Sequence, residues 1–158
     1  MRSYQIFSAM SPDRAAAIMG GLSENAPQMF KQALLIASAS MNARPTYLQR
    51  QPFEKQAAAV RRALSRVAAD GGAEEILAVY FLECRKELLV EWLDMLGIKH
   101  EDGILEADSP AAPSKAELQR ACDTFCGVDD DEDRSLLLNA FAAQSAIQWP
   151  DLELLLES

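Results

Sequence analysis

Apolar residues recur along most of this chain at spacings of three and four, the period of a helix with one buried face. The longest such run, Ala73 to Leu96, AEEILAVYFLECRKELLVEWLDML, predicts one amphipathic helix long enough to cross a small domain. At about 100° per residue, Leu77, Phe81, Leu82, Leu88, Leu89, Trp92, Leu93, Met95 and Leu96 share one half of its surface. Glu83, Glu87, Glu91 and Asp94 share the other. Gly97 followed by Ile98 predicts a left-handed helix stop.

Upstream, Phe53, Ala57, Val60, Leu64 and Val67 form a 4-3-4-3 seam starting after Pro52. With Gly71-Gly72 as the reversal, residues 52–96 predict an antiparallel helical hairpin that organises the rest. Ser11-Pro12-Asp13 and Pro27 open helices, the first with a cap, a proline at the first helical position and an acid in the first turn. Arg44 to Pro52, with a proline near each end, reads as a connector. Ser114 with Glu117 makes a capping box, Asp129 to Asp133 reads as a cap with first-turn acids, and Trp149-Pro150 starts a last helix. The expectation is an all-α helical bundle of about seven or eight helices in one domain. It comprises a main bundle over 1–97, a loop and linker over 98–113, and a smaller C-terminal module over 114–158 packed on it.

The phrase Met10-Ser11-Pro12-Asp13-Arg14-Ala15-Ala16-Ala17-Ile18 resembles helix starts in the helical repeat domains of bacterial magnesium transporters and flagellar motor switch proteins. The resemblance is confined to this phrase, has no second copy along the chain, and brings no function with it.

Charge and cysteine usage narrow the function classes. The net charge is -9, unevenly spread: residues 1–70 hold nine Lys/Arg and four Asp/Glu, residues 71–158 six and twenty. That asymmetry attracts one half to the other or steers a charged partner. Acidity overall makes nucleic acid an unlikely partner. No apolar run suits membrane insertion, and three cysteines inside predicted helices point to a reducing, cytoplasmic setting.

One side chain is out of place. Arg85 falls inside the apolar arc of the central helix, where a charge costs several kcal/mol unless paired. It either ties this helix to carboxylates or carbonyls of the second half, or lines a pocket for an anion, or lies exposed on an uncovered arc. Arg44, Arg50, Arg61, Arg62 and Arg66, with Tyr47 nearby, are the basic-patch candidates. The ridge of Glu83, Glu87 and Glu91 reads as a solvated or salt-bridged face, answered by Lys55 and Arg62 across the hairpin. His100-Glu101-Asp102 reads as a solvated turn, and Cys122 and Cys126 as small hydrophobes.

No nucleophile elbow, phosphate loop or spaced ligand set is present, so no catalytic, cofactor or metal residues are assigned and enzymatic activity is disfavoured. The expected function is a bacterial-type cytoplasmic protein–protein interaction or scaffold domain, binding a protein partner or a second copy without a cofactor. The alternative is a regulatory domain in which Arg85 lines a pocket for a small anion.

Overall fold

Prolines and small polar residues cut most of this chain into short helices, and the side chains of Ser11, Ser114 and Asp131 cap three of them. A computed structural model describes residues 1–157, of which 72% of the structure is helical. The fold is all-α, with ten α-helices and a single 3-10 turn among the described residues. The chain forms two compact units, one over Arg2–Cys84 and one from Arg85 onward that also takes in Met1.

The first unit holds α1 (Ser3–Ala9), α2 (Pro12–Asn25), α3 (Pro27–Ser40), α4 (Pro45–Gln49), α5 (Phe53–Leu64) and α6 (Asp70–Cys84). Ser11 caps α2 by accepting from the Arg14 N–H at 3.2 Å, with Pro12 in the first turn. Asp70 opens α6 and also closes the start of α1, accepting from the Tyr4 N–H at 3.0 Å and from Arg2 at 2.8 Å. The core gathers Phe7, Ile18, Met19, Leu22, Leu34, Leu48, Val60, Leu64, Ile76, Leu77 and Phe81, all buried.

The hairpin expected over 52–96 is not what organises this unit. α5 packs mainly on α3 and α2, and α6 on α1 and α2. Gly71 and Gly72 lie inside α6 rather than at a reversal. The turn comes earlier: the Ser65 hydroxyl donates to the Arg61 carbonyl at 2.6 Å as α5 ends, and Val67–Ala69 forms the 3-10 turn. Gly72 serves close packing instead, since a Cβ there would lie 3.0 Å from the Ile36 Cδ1. The seam also frays at its ends, where Phe53 and Val67 are exposed.

The single long helix is likewise two. α6 ends at Cys84, Arg85 leaves the helical region at φ -135° and ψ 45°, and α7 (Lys86–Leu96) begins after it. Phe81 is buried in the first unit, while Leu88 and Trp92 are buried in the second, so the apolar arc serves two cores. The unit boundary therefore falls at Cys84/Arg85 instead of Gly97. At Gly97 the expected left-handed stop is present, with φ 70° and the Ile98 N–H donating to the Leu93 carbonyl at 3.0 Å.

The second unit continues with a two-residue antiparallel pair, β1 (His100–Glu101) and β2 (Ile104–Leu105), then α8 (Lys115–Cys126), α9 (Glu132–Ala143) and α10 (Pro150–Glu157). Glu101 and Asp102 are exposed at the turn as expected, but the His100 side chain is not solvated. Its Nδ1 accepts from the Gly103 N–H at 3.1 Å and its Nε2 lies 2.6 Å from Asp94, which closes the hairpin. Ser114 and Glu117 form the expected capping box of α8. Trp92 stands in the core between Phe125 and Phe141, and Phe141 in turn meets Trp149 edge-on. The Trp149 indole N–H donates to the Pro110 carbonyl at 3.0 Å, fastening the linker.

Candidate functional site

A guanidinium near a core needs carboxylates, and Arg85 has three. Its Nε donates to Glu87 at 2.8 Å, Nη1 to Asp133 at 2.7 Å and Nη2 to Asp131 at 2.7 Å. Asp131 also caps α9, accepting from the Asp133 N–H at 3.0 Å, so one carboxylate closes a helix and clamps the arginine. The hydrogen bond from Arg85 holds Asp131 below the usual carboxylate range, against a smaller opposing effect of burial. Because the folded-state value is depressed, this stabilisation is complete above about pH 4 and is lost as the pH falls through the lowered value.

Arg134, in the first turn of α9, repeats the device. Only 8% of its side chain is exposed, yet it donates to Glu91, to Asp129 at 3.0 Å and to the Phe125 carbonyl at 3.2 Å. Its guanidinium carbon also lies 4.8 Å from the Phe125 ring centre. The acidic ridge of α7 is thus answered by arginines of its own unit, Glu87 by Arg85 and Glu91 by Arg134, instead of by residues of α5. Asp129 is paired with Arg134, and Asp131 and Asp133 with Arg85. Among the described residues no group is arranged to hold a metal ion.

With Glu87, Asp131 and Asp133 in place, almost every donor of Arg85 is committed. Its geometry favours the tether over the anion pocket. Arg85→Met is therefore expected to destabilise the protein by about 2 kcal/mol, below the ~3–5 kcal/mol of a fully buried pair because a quarter of the arginine is exposed. Urea unfolding measures this, and unchanged stability would contradict the tether.

The basic-patch residues do not gather in one place. Arg61 is drawn inward, its Nε donating to the Met10 carbonyl at 2.7 Å and Nη2 to the Ser8 carbonyl at 3.3 Å, where it finishes the C-terminal end of α1. Arg44 and Arg50 flank α4, whereas Arg62 and Arg66 lie at the far end of α5, whose 12 residues span about 18 Å.

The stretch read as a connector carries the more suggestive surface. Pro45 at the first helical position opens α4 after an extended Arg44, which satisfies the proline's demand on its neighbour without excluding a helix. Leu48 anchors the turn, at 1% exposure, and the buried Gln56 amide donates to the Leu48 and Gln49 carbonyls, both at 3.1 Å. So held, α4 turns Tyr47 outward at 53% exposure, between the exposed Arg44 and Arg50. These three, with Ala43, Thr46 and Gln51, line a shallow hollow of about 450 Å³ with mainly apolar walls.

Of the two cysteines on α8, Cys126 is exposed instead of packed as a small hydrophobe. Cys122 is buried on α8, and burial pushes its thiol up to about 11, far from the thiolate a nucleophile needs. No helix among the described residues is long and apolar enough to cross a membrane. No known protein family, curated protein or solved structure matches the chain.

Proposed function

We propose that this chain is a cytoplasmic, non-catalytic protein–protein interaction domain that docks an acidic, leucine-bearing helical segment on α4. The observation that carries this reading is Tyr47, more than half exposed on a rigidly held turn between Arg44 and Arg50. Tyrosine and arginine are the side chains enriched at interface centres, because each combines large contact area with a polar end. A hollow with apolar walls and two flanking cations suits an apolar side chain bracketed by carboxylates. Phosphate backbones are poorly matched, since the chain as a whole carries a net charge of -9.

Fluorescence anisotropy with labelled helical peptides, matched in a central leucine but acidic, neutral or basic elsewhere, tests this. Only the acidic peptide should bind, and Tyr47→Ala should weaken it by about tenfold or more, as truncation of an interface anchor does. Equal binding of the basic peptide, or indifference to Tyr47→Ala, would refute the reading.

A further inference from the structure

We infer that the acidic segment received by α4 is α10 of a second copy of this chain, so that the protein self-associates through α4–α10 contacts between copies. The inference rests on the α4 reading above and adds the identity of the partner. Along α4 and its caps, Arg44, Tyr47 and Arg50 run base, aromatic, base at intervals of three residues. Along the outer side of α10, Asp151, Leu154 and Glu157 run acid, apolar, acid at the same intervals. A helix advances about 1.5 Å per residue, so the two rows present complementary groups at the same step of about 4.5 Å.

Leu154 is an exposed apolar group on α10. α10 already buries Leu152 completely and rests on α8 and α9, yet leaves Leu154 59% exposed among Asp151, Glu153 and Glu157. Tyr47, at 53%, is its counterpart on α4. Glu157 also lies 3.8 Å from the Met1 amine, but both groups are largely exposed and that pair is weak. Net charge favours the same pairing. Residues 2–84, which carry α4, hold nine basic and seven acidic residues, a net of +2, while residues 85–158, which carry α10, hold six and seventeen, a net of -11.

The two surfaces differ, so the contact is heterologous, with α4 of one copy receiving α10 of another. α4 has five residues and α10 eight, so the contact is expected to fall short of the roughly 800 Å² per partner of a standard interface, to be weak and to decline with added salt.

Sedimentation velocity on the full chain tests the inference, using Arg44→Glu/Arg50→Glu as one variant and Asp151→Arg/Glu157→Arg as the other. All four side chains are exposed, and circular dichroism verifies that both variants fold. Wild type should show a concentration-dependent dimer at concentrations up to ~100 µM. Each variant alone should lose dimerisation by about tenfold or more, because like charges then face each other. A one-to-one mixture should regain it, since the reversed α4 of one variant meets the reversed α10 of the other and the remaining pair is native. A wild type that stays monomeric, variants that dimerise as wild type does, or a mixture that stays monomeric would overturn it. If acidic peptides still bind α4 while wild type is monomeric, the second copy is excluded as partner and the α4 surface stands.

Discussion

Trp92→Ala is expected to cost about 4 kcal/mol, within the ~3–5 kcal/mol that removal of a large buried aromatic produces. Trp92 is fully buried, with ring centres 5.4 Å from Phe125 and 6.0 Å from Phe141, and it joins α7 to α8 and α9. Alanine would leave a cavity whose walls are two aromatic rings that cannot both collapse into it. Phenylalanine at the same position should cost only about 1 kcal/mol, although it too is smaller. Among the described residues the Trp92 indole N–H has no hydrogen-bond partner, and a buried unsatisfied donor costs ~1–3 kcal/mol that phenylalanine relieves. Urea unfolding followed by the fluorescence of Trp149, which sits in the same unit, reads both variants. Equal losses for alanine and phenylalanine would contradict this packing.

Arg134→Met should cost about 3 kcal/mol, although methionine fills much of the same volume. The loss comes from what the arginine leaves behind: Glu91 and Asp129 lose their counter-charge and the Phe125 carbonyl loses its donor. Arg134→Lys should recover only part of it, because an ammonium cannot reach three acceptors in the geometry of a planar fork or lie over the Phe125 ring as well. The same unfolding experiment ranks wild type above lysine and lysine above methionine. Methionine as stable as wild type would show that hydrophobic replacement outweighs the ionic tie.

The helical character of the chain was legible because apolar spacing, caps and prolines agree locally. Ser11, Ser114 and Gly97 perform as their sequence contexts predict. The break at Arg85 was not legible: no glycine or proline marks it, and its side chain is held by Asp131 and Asp133, 46 and 48 residues away. That Arg85 requires a partner followed from its place in the apolar arc, but not which carboxylates supply it. Gly71-Gly72 misled because a glycine that lets Ile36 approach looks, in sequence, like one that makes a turn. Arg134 was missed although it was a cation at the head of a core helix beside a run of acids. Neighbours in sequence also grouped Arg44 and Arg50 with Arg61, Arg62 and Arg66, when the length of α5 keeps them apart.

Arg85 and Arg134 tie α7 to α9 within the second unit, and α4 is the surface proposed for binding. Amide chemical shifts of the ¹⁵N-labelled protein, recorded while an acidic leucine-centred helical peptide is added, test that division directly. Shifts centred on residues 43–51 are predicted. Shifts centred instead on Arg85 and residues 129–134, or none at saturating peptide, would contradict it.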